Sequence, residues 1–379
     1  MPNKKSSLSQ LHTFGQSFWY DNIQRVMLNN GELQSMIDND DLRGITSNPS
    51  IFEKAITGSS DYDASLNQYI QNNSSPNGRE AFFNLAIEDI QAASDLLLPV
   101  YNSSQYKDGY VSLEVSPDLA NDTEASIKEA HDLFLKINRP NAMIKIPATK
   151  EGIPVVEQLI ADGINVNATL LFSVERYVEV AQAYINGIEQ RKARNLPVNN
   201  VASVASFFIS RVDSSVDEKL DKIGNEVSDL KGQFAIANAK LAYLEYQQLF
   251  GPDSFRHLSS AGAMPQRLLW ASTGVKNPAY SDVMYIEKLI GDNTVNTIPP
   301  ATAAAFNDHG AAANTLEMDT QKAEEIVSSV KKHGVDIDSM MHKLEVDGVD
   351  IFGKSFSNLL KLIDKKLRSM GDSNSSNVA

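Results

Sequence analysis

The stretch Asn141-Ala142-Met143-Ile144-Lys145-Ile146-Pro147-Ala148-Thr149 sets one cation inside what otherwise reads as a buried β-strand. Side chains alternate across a strand, so Met143, Lys145 and Pro147 share one face, while Ala142, Ile144 and Ile146 form a wholly apolar one. Lysines are rarely buried without a partner, and a desolvated amine favours its neutral form, a nucleophile toward carbonyls. Schiff-base chemistry is one reading of Lys145. A charge that guards a sheet edge is the other, and the rest of the chain has to choose.

Upstream, Ser17-Phe-Trp-Tyr-Asp21 is a short aromatic strand ending in an acid, followed by an amphipathic stretch from Ile23 to Met36. Gly44-Ile-Thr-Ser-Asn48 closes against Pro49, with Ser50 as a candidate helix cap. Residues 52–109 carry long helical periodicity and read as an enlarged helical connection. Tyr110 to Val115 then repeats the anomaly of the lysine strand: Val111, Leu113 and Val115 face one way, Ser112 and Glu114 the other.

Downstream, a helix over Gly152–Ala161 leads into Ile164 to Leu170, the cleanest alternation in the chain. Its second face is Asn165, Asn167 and Thr169, which cannot pack against helices. A long helix covers Val174 to Arg194, Val201 to Ser210 is a strand apolar on both faces, and Phe234 to Phe250 is helical. Arg267 to Thr273 and Thr294 to Ile298 complete eight strands, separated by a helix around Tyr280–Ile290. Leu316 to Met370 is mostly helical, and the polar run from Gly371 to Ala379 is expected to be a disordered tail.

Strands alternating with helices predict a parallel sheet, closed as a (β/α)8 TIM barrel or open as a doubly wound sheet. The faces favour the barrel: several strands pair an apolar face, which would meet the helices, with a face carrying Glu114, Lys145, Asn165, Asn167 and Thr169, which would point inward. Asp21, Asn48, Glu114, Lys145, Thr169, Ser206 and Ser272 all fall late in their strands, where barrel enzymes do their chemistry. That convergence moves Lys145 from edge charge to catalyst. The expected organisation is one barrel domain over residues 1–370, with the helical insertion and extra C-terminal helices as decorations.

Composition limits what such a barrel can bind. At 379 residues and 42% hydrophobic the chain can bury a large core, and a formal net charge of −14 argues against nucleic acid or a membrane surface as partner. With no cysteine, disulfides and thiolate chemistry are excluded, and the six histidines show no metal-binding spacing. The N-terminus lacks a secretory apolar run and no segment reaches membrane-spanning length, so a cytoplasmic protein is expected.

At its strand-end motifs the chain resembles the transaldolases, class I aldolase-type barrel enzymes of the pentose phosphate pathway. The resemblance runs through Gly-Ile-Thr-Ser-Asn-Pro-Ser-Ile-Phe (44–52), Val-Ser-Leu-Glu-Val-Ser-Pro (111–117), Met-Ile-Lys-Ile-Pro-Ala-Thr (143–149), Gly-Ile-Asn-Val-Asn-Ala-Thr-Leu-Leu-Phe-Ser (163–173) and Trp-Ala-Ser-Thr-Gly-Val-Lys (270–276). It implies transfer of a dihydroxyacetone unit from sedoheptulose 7-phosphate to glyceraldehyde 3-phosphate, giving erythrose 4-phosphate and fructose 6-phosphate, without cofactor or metal. Lys145 matches the Schiff-base lysine, Glu114 with a water held by Thr169 the proton relay, and Asp21 the acid-base group at carbon-carbon cleavage. Asn48 and Asn167 match amides that hold substrate hydroxyls, and Ser206 a pocket hydroxyl. Arg211 matches the phosphate-binding arginine, joined by Ser272 and Lys276, the last standing in for an arginine expected after the seventh strand. The simpler readings are a turn residue for Asn48, an ion pair with Asp213 for Arg211, and an ordinary loop for Gly274 to Lys276. Two rivals remain: an aldolase that releases free dihydroxyacetone, and a non-catalytic sugar-phosphate-binding barrel. The chain is expected to act as a monomer or homodimer.

Overall fold

Lys145 stands in β4 (Ala142–Pro147), the fourth of eight parallel strands that pair in chain order and close into a barrel in the computed structural model, which describes residues 6–376. The others are β1 (Gln16–Tyr20), β2 (Gly44–Ile45), β3 (Tyr110–Glu114), β5 (Val166–Leu171), β6 (Ser203–Phe208), β7 (Arg267–Ala271) and β8 (Thr294–Ile298). Closure by β1 on β8, with Gln16 opposite Thr294 and Tyr20 opposite Ile298, excludes the open doubly wound sheet. Every strand residue is buried, because helices cover the outside and the barrel's own side chains fill the inside.

Register puts the polar positions in one layer. Glu114 pairs with Lys145, Lys145 with Asn167, and Pro147 with Thr169. The alternation of β5 breaks at Leu170, which takes a left-handed backbone (φ 62°) at a register shift against β6. A leucine rarely adopts that conformation, and the strain lies beside Thr169. At the other end of the sheet Gly44 is required by packing: a Cβ there would come within 2.5 Å of the Trp19 indole.

The insertion folds as three helices, Pro49–Thr57, Asp63–Asn72 and Gly78–Ser103. Asn48, not Ser50, caps the first of them: its side chain accepts from the Ile51 amide, and Pro49 at the first helical position keeps Asn48 extended. The segment expected as one amphipathic stretch from Ile23 splits into Arg25–Asn29 and Glu32–Asp40, because Gly31 turns with φ 84°. The helix expected around Tyr280–Ile290 shrinks to Met284–Lys288.

At the C-terminus, Thr320–Lys332 and Ile337–Ser376 are helices. Residues 371–376 therefore continue the last helix where a tail is expected from Gly371; no proline interrupts them, and one glycine costs a helix only about 1 kcal/mol. The rest of the expected tail, residues 377–379, lies outside the described residues. No described helix is long and apolar enough to cross a membrane.

Candidate active site

The C-terminal ends of the strands surround a cavity of about 460 Å³. Every candidate catalytic or substrate-binding residue named from the sequence lines it except Glu114 and Asn167, which contact the lining residues Lys145 and Ser206. Lys145 is only 5% exposed, and its Nζ donates to the Ser47 carbonyl at 3.0 Å. Glu114 Oε2 stands 3.6 Å from the same nitrogen, an ion pair held by the β3–β4 register.

Burial pushes the Glu114 carboxyl above the ordinary glutamate range; the Lys145 charge opposes that rise, and Asp21 adds to it. Neither Glu114 oxygen has a hydrogen-bond partner among the described residues, and the same holds for Thr169 Oγ1. A buried carboxylate left so is costly, so the pair is arranged for something other than stability.

Asp21 follows the last residue of β1, with its amide bonded to the Ile298 carbonyl. Burial raises its carboxyl too, offset by the Thr46 hydroxyl at 2.7 Å and then by Lys145 and Arg211. Thr46 in turn meets Thr297 Oγ1 at 2.6 Å. Asn167 is fixed from both sides: its amide donates to Ser112 Oγ at 3.1 Å and its carbonyl accepts from Ser206 Oγ at 2.7 Å. With rotation blocked, its orientation is set before any ligand arrives.

Arg211 is the second residue of the helix Ser210–Ile223. Its expected alternative partner, Asp213, is turned away: it accepts from the Ala235 amide at 2.7 Å and from the Tyr285 hydroxyl at 2.9 Å. Among the described residues the Arg211 guanidinium has no ion pair, and burial lowers its pKa, with Asp21 opposing. Ser272 lies in the left-handed region (φ 56°), its hydroxyl 2.9 Å from Ser210 Oγ, so the loop after β7 is joined to that helix. Lys276 lines the cavity from the same loop and is exposed.

Sequence reasoning missed Thr46, Thr297, Ser112 and two further lining residues, Lys54 and Phe352. Thr46 lies inside the Gly44–Asn48 motif and Ser112 on the Glu114 face, signals that were present; Phe352 had none. Arg211, Lys276, Lys54 and Lys145 give the cavity a cationic lining in an acidic protein, with Asp21 as its one carboxylate. No group of three or more metal-ligating side chains occurs among the described residues. The arrangement combines a buried amine, two carboxylates with raised proton affinity, fixed amides and cations suited to a phosphorylated carbonyl compound.

Residues 18–363 match the family described as Transaldolase/Fructose-6-phosphate aldolase. A protein named Transaldolase from Trichodesmium erythraeum is 46% identical over 374 residues, spanning 96% of this chain and 98% of its own. Transaldolase 2 of Nostoc punctiforme is 46% identical over 373 residues (95% and 97%), and Transaldolase of Saccharopolyspora erythraea 42% over 363 residues (96% and 98%).

Proposed function

The chain belongs to the transaldolase/fructose-6-phosphate aldolase family, and we propose that its cavity moves a dihydroxyacetone unit between sugar phosphates through a Schiff base on Lys145. The observation that carries this reading is the buried Lys145 with Glu114 at 3.6 Å, facing a cavity lined by cations. It is a transferase of the pentose phosphate pathway: sedoheptulose 7-phosphate gives up three carbons and glyceraldehyde 3-phosphate accepts them.

The groups suit the steps in order. Lys145 Nζ adds to the ketose carbonyl at C2, and its proton passes toward Glu114, whose burial raises its proton affinity. Glu114, through a water held by Thr169, returns a proton to the carbinolamine oxygen, which leaves as water and forms the iminium. Asp21 then takes the C4 hydroxyl proton while the C3–C4 bond breaks, releasing the aldose phosphate; the bonding electrons pass into the iminium as an enamine. Addition to the acceptor aldehyde reverses these steps. Asn48, Asn167 and Ser206 hold the dihydroxyacetone hydroxyls, and Arg211, Ser272 and Lys276 receive the phosphate. All these groups fall between Asp21 and Lys276, within a proposed single catalytic domain over residues 1–370, and the proposed form is a cytoplasmic monomer or homodimer.

The test is intact-protein mass spectrometry after mixing with fructose 6-phosphate and borohydride. The wild type gains one reduced dihydroxyacetone adduct, and Lys145→Ala gains none; equal labelling of both would remove Lys145 from the reaction. Without an acceptor, a transferase keeps the adduct until erythrose 4-phosphate is added before borohydride, whereas an aldolase loses it to water and releases free dihydroxyacetone.

A further inference from the structure

We propose that Phe352, on the C-terminal helix, is a positioning residue for substrate phosphate: its ring, with that of Phe208, holds the Arg211 guanidinium without occupying its donors. The inference rests on Arg211 as a phosphate ligand. It gives the last helix a part in recognition.

The Arg211 guanidinium carbon lies 5.4 Å from the Phe208 ring centroid and 5.7 Å from that of Phe352, both within cation–π range. The two rings come from different elements, the end of β6 and the helix Ile337–Ser376. An arginine has five N–H donors in the plane of its head group and two apolar faces. Held by a carboxylate, it would lose donors and charge to a competitor of phosphate. Held by rings, it keeps both, and here the neighbouring Asp213 is already engaged by Ala235 and Tyr285.

Phe352 is 5% exposed and fixed from both directions along its helix. One turn earlier, Gly348 sits so close to β5 that a Cβ would come within 3.1 Å of Leu170 Cδ2. One turn later, Phe356 packs on Phe82 at 5.4 Å, and Ser50 Oγ donates to Ser355 Oγ at 2.9 Å. Positions 348, 352 and 356 follow the four-residue spacing of one helix face, so the face that seats the helix also delivers the ring to Arg211.

The experiment compares Phe352→Leu, Phe352→Tyr and Arg211→Gln. Three readouts are taken: KM and kcat for fructose 6-phosphate, inhibition by inorganic phosphate, and borohydride trapping of unphosphorylated dihydroxyacetone on Lys145. For Phe352→Leu we expect KM and the phosphate inhibition constant to rise roughly fivefold to thirtyfold, the range of one lost ring contact. Trapping of dihydroxyacetone should hold its rate, and Phe352→Tyr, which keeps the ring, should recover most of the loss. A leucine variant with unchanged phosphate inhibition, or one that loses dihydroxyacetone trapping equally, overturns the proposal, as does a tyrosine variant no better than leucine. If Arg211→Gln leaves phosphate inhibition intact, the phosphate-ligand reading itself falls. If Arg211→Gln weakens it and Phe352→Leu does not, only the role of Phe352 falls.

Discussion

The proposed role of Asp21 as proton acceptor requires a carboxylate, yet burial raises its carboxyl above the ordinary aspartate range. The Thr46 hydroxyl at 2.7 Å is the largest influence on the other side, stabilising the charged form. Removing it with Thr46→Val raises the Asp21 pKa further, so the acidic limb of kcat/KM against pH moves to higher pH while the basic limb stays. A pH profile of both enzymes checks this, and a limb that moves down or not at all removes Thr46 from the mechanism. Lys145, Glu114 and Asn167 were legible in the sequence because each puts a polar group on a strand otherwise committed to burial. Thr46 and Thr297 were not, since threonine suits any strand and their mutual contact exists only once β1, β2 and β8 meet. Phe352 was least legible of all: an aromatic at helical spacing reads as core, and only the folded chain shows a cation over it.

At the level of elements, the segment between β7 and β8 and the helix Ser210–Ile223 are tied by two tyrosine–aspartate contacts, Tyr280 of the loop to Asp217 at 2.7 Å and Tyr285 of the helix Met284–Lys288 to Asp213 at 2.9 Å. Those bonds explain why Tyr280 stays out of the helix that periodicity assigned to it. They also load the structure with a pH dependence. Burial pushes Asp213 to about 7, with the Ala235 amide and Tyr285 hydroxyl opposing and Asp217 adding. A raised carboxyl favours folding while protonated, so this contribution is full below the ordinary aspartate pKa and is lost as pH rises toward about 7. Asp213→Asn, which can keep a hydrogen bond to each partner, should therefore gain stability relative to wild type at pH 8 and little at pH 4. Thermal melts at the two pH values check the sign; a gain confined to pH 4 would contradict it. Element boundaries were less legible than element existence for the same physical reason: Asn48 and Gly31 begin their helices, and Tyr280 lies outside the helix Met284–Lys288, through contacts or backbone angles that no apolar period encodes.

Closure of the whole sheet could not be read from any single strand–helix unit, because each fits an open sheet equally well. It was read from the inward polar faces, and the structure adds a second such meeting at the opposite end of the barrel. There Arg267, first residue of β7 and 4% exposed, reaches across to Asp108 Oδ1 at 2.8 Å and to Ser17 of β1 at 2.9 Å. Asp108 is further bonded by Ser17 at 2.9 Å and faces Arg43 at 3.5 Å. Burial pushes the Asp108 carboxyl up, but Arg267, Arg43 and Ser17 outweigh it and hold it below the ordinary range. A lowered carboxyl contributes stability above its unfolded pKa and loses it as pH falls through the folded one. Asp108→Ala leaves Arg267 buried without its main partner, a change that costs about 3–5 kcal/mol in comparable sites. Urea denaturation at pH 7 should show a loss of that order, and the difference from wild type should shrink in acid, where the native carboxyl is protonated as well. Because this network lies at the strand ends away from Lys145, folded Asp108→Ala protein should still form the borohydride-trapped adduct. A loss below about 1 kcal/mol would mean that Arg267 is satisfied by its other partners, Ser17 Oγ and the Lys107 carbonyl, and that the Asp108 ion pair adds little to a barrel closed by strand pairing and core packing.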